Sequence, residues 1–291
     1  MSQLRAPQLP VPLRPLGLGD LFDGAIRLFR QLFPLLFGLS VLAFAPIALL
    51  GIGLQVLGGQ LARNSNLGAS LAAADLVLLL VPITAAVPIY FVFFDLSFGA
   101  QVYAISEARF GRRTTMGRAF RHALNRFWPL LGTQLLYSIA IGLMAITVLG
   151  IPFAIYFAVA WAFAWHAVLL EEAGVFRAFG RSRQLVRGRW WRTVGIALLF
   201  LLFIWVVSLI LTIPLGLLAG LFALAAGTDA LQSPLYIVVS TILNVLASAI
   251  TTPLTYCAWV LYYYDLRIRK EGLDLAVRAD ELAPAPPVAT P

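Results

Sequence analysis

The chain has 291 residues, of which 61% are hydrophobic and 12% charged, and its mean hydropathy is +0.90. Soluble domains are nearer half apolar and a quarter charged, so a chain this apolar cannot clothe itself in polar side chains and its natural solvent is lipid. At roughly 20 apolar residues per crossing, several spans consume most of the length, which excludes a large soluble catalytic domain within these residues.

The net charge of +8 comes almost entirely from arginine, with Lys270 the only lysine. In so apolar a chain this excess points to anionic lipid headgroups and topology control rather than to nucleic acid. The single cysteine, Cys257, lies in an apolar run, so neither an internal disulfide nor a cysteine metal cluster is available.

In chain order, residues 1–16 form a proline-punctuated tail (Pro7, Pro10, Pro12, Pro15) with no secretory h-region. A single membrane domain is expected over 17–271, with spans at about 32–57, 76–104, 128–149, 152–170, 193–226 and 235–264. The polar stretch from Arg63 to Ser70 separates the first two spans, and Gly150-Ile151-Pro152 separates the third from the fourth. Gly227-Thr228-Asp229 and Ser233-Pro234 divide the last two, which are long enough to tilt or to kink at Pro214 and Pro253. The Pro/Ala-rich tail, 272–291, reads as disordered.

Six crossings place both ends on one side, and the basic residues agree. Arg63 stands alone on one side, while the other 20 of the 21 basic residues fall on the side of the termini. The positive-inside rule makes that side cytoplasmic.

Three basic segments share a design. The first runs from Asp20 to Pro34-Leu-Leu, the second from Met116 to Pro129-Leu-Leu, and the third from Val175 to Trp191. In the second, Met116, Ala119, Phe120, Ala123, Leu124 and Phe127 follow i, i+3, i+4, i+7 spacing, with Arg118, Arg121, His122 and Asn125 opposite and Thr114 or Thr115 as N-cap. The first behaves similarly, and in the third Leu185 falls off the stripe. The pattern predicts three interfacial amphipathic helices, with Trp128, Trp190 and Trp191 anchoring the spans that follow. Either these are three repeats of interfacial helix plus transmembrane hairpin, or basic loops before spans look alike for topological reasons alone. Arg118, Arg121, Arg126, Arg177, Arg181 and Arg187 are the candidate headgroup ligands.

Asp95, within the second apolar run, is costly to place in hydrocarbon, by about 2.5–3.5 kcal/mol on insertion scales. It either faces a transport or proton path, or is structural and bonds Ser97 or a backbone amide. His166 lies near Glu171 and Glu172, where a His–carboxylate pair could move protons or hold a metal, or the ring is simply hydrogen-bonded beside an interfacial Trp. Metalloprotease, P-loop, dinucleotide and nucleophile-elbow motifs are missing, so no enzyme, metal or cofactor is expected. Gly51-Ile52-Gly53 and Ala72, Ala73 and Ala74 would permit close helix approach.

The stretches Arg14-Pro-Leu-Gly-Leu-Gly-Asp-Leu-Phe-Asp23, Leu170-Glu-Glu-Ala-Gly-Val-Phe-Arg177 through Trp190-Trp191-Arg192, and Tyr262-Tyr-Tyr-Asp265-Leu-Arg267-Ile-Arg269 occur in an order that resembles the membrane domain family of glycerophosphoryl diester phosphodiesterases. In the full-length enzymes of that family, hydrolysis belongs to a separate soluble barrel with paired His and acidic ligands. The resemblance therefore implies a membrane module without the activity. With the bacterial relatives that the resemblance implies, the expectation is a non-enzymatic bacterial inner-membrane protein that engages anionic lipid or scaffolds a complex with an unidentified protein partner. The alternative is a transporter or channel subunit with Asp95 and His166 in its path.

Overall fold

A computed structural model describes residues 14–64, 73–227 and 233–272. The tail readings for 1–13 and 273–291, and most of the polar loop at 63–70, lie outside those residues.

Among the described residues the chain is all-helical: α1 (Leu18–Asn64), α2 (Ala73–Arg109), α3 (Met116–Asn125), α4 (Phe127–Ala145), α5 (Ile151–Ala160), α6 (Ala164–Leu170), α7 (Val175–Val186), α8 (Trp190–Ala226) and α9 (Pro234–Glu271). Six stretches are long and apolar enough to cross a membrane: Leu18–Val56, Val87–Arg109, Phe127–Ala145, Val148–Leu170, Trp190–Phe222 and Leu235–Glu271. Their ends follow local chemistry. Thr115 Oγ1 accepts from the Arg118 amide to start α3, and Ser233 Oγ accepts from the Tyr236 amide, at 3.3 Å, to start α9 with Pro234 in its first turn. At the other end of α9, Arg269 and Lys270 occupy the last turn, where cations oppose the helix dipole. Gly272 then closes the helix at φ +61°, a left-handed conformation that costs glycine little. The turn between α4 and α5 is held by Thr147, whose Oγ1 accepts from Gly150 N at 3.0 Å.

The core gathers at the basic end. The early part of α1 (Leu21, Leu28, Leu36), the late part of α2 (Val102, Ile105), α6 and the late part of α9 (Tyr262, Tyr263, Leu266) form one buried cluster. Away from it, large apolar side chains face outward, as at Leu49, Leu149, Leu224 and Leu235. A continuous apolar exterior of this kind suits acyl chains and would be insoluble in water.

Four expectations change. The first basic segment is not a separate helix, because α1 runs unbroken from Leu18 through Pro34 and Pro46 to Asn64. A proline inside a helix removes one backbone hydrogen bond and can bend the helix without ending it, so the three basic segments are not built alike. The fourth candidate span is broken: α5 and α6 are separated by a turn at 161–163, although neither Gly nor Pro stands there. Leu185 is on the buried stripe of α7, because the stripe counts from Ala178 and Phe179 through Ser182 to Leu185 and Val186. Finally, a side chain added at Gly51 or Gly53 would meet nothing within 4 Å, whereas a Cβ at Gly99 would come within 2.9 Å of Ala123 Cβ. The tight helix contact is therefore α2 against α3, α4 and α6, centred on Gly99.

Candidate functional site: a basic groove and an intramembrane cavity

Helices α3 and α7 carry the predicted arginines, and the fold divides those side chains into two kinds. Arg126 forms an ion pair with Glu172, and Arg181 bridges Glu171 and Glu271, both at 2.5 Å. Tyr263 donates its hydroxyl to the same Glu171 at 2.5 Å, and Arg267 lies 3.4 Å from it. Burial works against the Glu171 charge, but the hydrogen bonds from Arg181 and Tyr263 and the nearby Arg267 outweigh it and hold the carboxyl below its ordinary value of 4.5. These two arginines serve the protein's own packing.

Arg118, Arg121, Arg177 and Arg187 are exposed, and none forms an ion pair among the described residues. Beside them stand Trp128, Phe176 and Trp191, each at least three-quarters exposed. α3 fully buries Ala119 and Ala123, whereas Leu124 of its predicted apolar stripe stays more than half exposed and Met116 more than a third. His122, placed by the sequence pattern on the polar face of α3, stacks on Tyr103 at 4.1 Å and its Nε2 lies 3.0 Å from the Leu169 carbonyl, tying α3 to α6.

Between α5 and α7 lies a groove of about 530 Å³ lined by Tyr156, Arg183, Gln184, Arg187, Gly188 and Trp190 among others. Trp190 is fixed at its rim, donating Nε1–H to the Tyr156 carbonyl at 3.2 Å and stacking on that ring. Sequence reasoning singled out Arg187 but not Arg183. The signal was present in the i, i+4 spacing of the two, which puts them on one helical face.

The break at 161–163 shapes the second feature. A broken helix in an apolar setting leaves polar backbone groups that must find partners. Ser182 of α7 supplies them: its hydroxyl donates to the Ala160 carbonyl at 2.8 Å and accepts from Phe163 N at 3.0 Å. Next to this break opens a cavity of about 500 Å³, lined by residues of α2, α4, α5, α6, α8 and α9. Asp95 and His166, widely separated in sequence, both line it.

Asp95 is 1% exposed, and its Oδ2 has no hydrogen-bond partner among the described residues. Ser97, its expected partner, instead accepts from Gln101 Nε2 at 2.7 Å. His166 is 3% exposed with neither ring nitrogen bonded among the described residues, and it is enclosed by Phe98, Phe163 and Tyr263 at centroid distances of 5.5–5.8 Å. It pairs with neither Glu171 nor Glu172, since Arg181 and Arg126 hold those carboxylates. Trp165 Nε1, also on the cavity wall, has no hydrogen-bond partner among the described residues, and its indole packs on Tyr137 at 4.7 Å. No three His, Cys, Asp or Glu side chains among the described residues converge as a metal site requires.

The model of a family described as a domain of unknown function, DUF7847, matches residues 130–266. No curated protein and no solved structure matches the chain. The matched stretch runs from α4 through most of α9, so it contains His166, the α5–α7 groove and Asp265, but not Asp95.

Proposed function

We propose that this is a polytopic inner-membrane protein that binds anionic phospholipid at its basic, cytoplasmic face, with the α5–α7 groove as the headgroup site. The observation that carries the reading is the groove itself: Arg183 and Arg187 are exposed, unpaired among the described residues, and set beside Trp190 and Tyr156. Guanidinium groups bind phosphate oxygens by charge-assisted hydrogen bonds, and tryptophan is favoured where acyl chain meets headgroup. Arg118 and Arg121 on α3, and Arg177 on α7, extend the same basic surface at the plane where the exposed Trp128, Phe176 and Trp191 would enter lipid. On this reading α3 and α7 are interfacial helices, and the kinship suggested by the Arg14–Asp23, Leu170–Arg192 and Tyr262–Arg269 stretches is with membrane modules rather than with a hydrolase.

The test is native mass spectrometry of the purified protein offered equal amounts of phosphatidylglycerol and phosphatidylcholine. The wild type should retain phosphatidylglycerol, and Arg183→Gln with Arg187→Gln should abolish the preference. Retention of both lipids alike, or a preference untouched by the double substitution, would overturn the proposal.

A second reading, a transport or channel path through the cavity, is favoured by the meeting of Asp95 and His166 on its wall. A cysteine replacing Asp95 in a Cys257→Ala background should then react with a small aqueous thiol reagent. Complete protection would refute an aqueous path at that point.

A further inference from the structure

The cavity contains a chemical imbalance. Its lining includes a carboxylate, Asp95, and an imidazole, His166, but no lysine or arginine. A buried carboxylate is ordinarily matched by a cation or by several donors, because removing its hydration shell costs several kcal/mol after relaxation. Among the described residues neither is offered to Asp95 Oδ2. A neutral imidazole has one acceptor nitrogen, and that of His166 has no partner among the described residues either.

Aromatic rings make up about half of the remaining wall, with Gln134, Thr193 and Thr255 among the other residues. Phe94, Phe98, Tyr137, Trp165, Tyr256 and Trp259 all line the cavity, and Phe98 meets Tyr256 edge-on at 5.0 Å. The faces of such rings carry negative electrostatic potential and attract cations, most strongly where water is excluded. At about 500 Å³ the space falls within the range of small-molecule sites.

We infer that the cavity beside the 161–163 break is a binding site for a small protonated amine with an apolar or aromatic body. The ammonium N–H groups donate to Asp95 Oδ2 and to the free nitrogen of His166, the positive charge offsets the buried carboxylate, and the aromatic wall holds the rest. Asp95 lies three residues before Phe98 on α2, so acid and ring share one helical face. The inference rests on the cavity of the second reading and not on its being a path, because a site can bind an amine and move nothing. It is also independent of the lipid proposal.

The experiment compares saturable binding of 2-phenylethylamine, protonated at neutral pH, with that of 2-phenylethanol, a neutral counterpart of nearly the same shape. Both are measured by equilibrium dialysis on the full chain in lipid nanodiscs, with empty nanodiscs subtracted. The amine should bind saturably and at least about tenfold more tightly than the alcohol, and Asp95→Asn should remove that preference. Ala197→Phe, which fills the cavity from α8 without touching a polar group, should abolish amine binding and supplies the test if the Asp95 variant fails to fold. Equal binding of the two probes, an amine preference that survives Asp95→Asn, undiminished binding in Ala197→Phe, or no saturable amine binding would each overturn the inference. Positive binding together with full protection of a cysteine at position 95 in the empty protein would keep the site and discard the path.

Discussion

Two buried aspartates, Asp265 and Asp95, lie in the same bundle and are treated in opposite ways. Asp265 is fully buried near the end of α9, and its carboxylate is saturated: Leu16 N donates at 2.8 Å, Arg269 Nε at 2.9 Å, and Arg192 lies 3.2 Å away. Arg269 and Arg192 also donate to the Leu16 carbonyl, so one acid fastens the chain entering α1 to the start of α8 and the end of α9. Asp95 has comparable burial, with an oxygen that receives nothing among the described residues and a cavity in front of it. Where protein groups compensate a buried charge, the charge organises the fold. Where they leave it uncompensated beside open space, the compensation is left to something that enters.

That contrast can be broken at several points, the largest effect first. Asp265→Ala should destabilise the protein by about 3–5 kcal/mol, because two arginines and an amide lose their acceptor at once. Thermal unfolding in detergent measures it, and a loss below ~1 kcal/mol would mean that the clamp is ornamental. Ser182→Ala should cost about 1–3 kcal/mol by stranding the Ala160 carbonyl and the Phe163 amide, and should loosen the cavity with the break. Enhanced hydrogen exchange at 160–163 would accompany it, and unchanged exchange there would sever the link between α7 and the break.

Acidification gives an intermediate effect confined to the basic end. Because the folded-state value of Glu171 is depressed, its stabilisation is present above the ordinary carboxylate value of 4.5 and disappears as pH falls through the lower folded value. A Glu171→Gln variant should lose that part of the acid sensitivity in pH-dependent unfolding, and an unaltered acid limb would show that other carboxylates control it. The smallest effect should come from Asp95→Asn. Removing a carboxylate whose Oδ2 has no partner among the described residues should leave unfolding within about 1 kcal/mol of wild type, or raise stability. A loss as large as that of Asp265→Ala would erase the distinction between the two sites.

Much of this was legible in the residues. Long uncharged runs already imply helices that cross lipid, since an apolar bilayer demands internally satisfied backbone and about 20 residues per crossing. The cap of α3 was narrowed to Thr114 or Thr115, of which Thr115 serves, because capping depends on neighbours two or three residues away. The i, i+4 pairs Asp265–Arg269 and Arg267–Glu271 on α9 are of the same kind.

Tertiary structure decided the rest. Composition cannot tell Gly99 from Gly51, because the difference is which helix arrives opposite each glycine. The break at 161–163 has no Gly or Pro to announce it, and its partner, Ser182, is an unremarkable serine until α7 folds back beside it. The six proposed headgroup arginines look equivalent in sequence. Only packing turned Arg126 and Arg181 toward Glu172, Glu171 and Glu271 and left Arg118, Arg121, Arg177 and Arg187 outside. Asp95 and His166 are 71 residues apart in the chain. Their common cavity exists because helix packing, set by shape and burial over the whole bundle, brings α2 and α6 together, and no local pattern records that meeting.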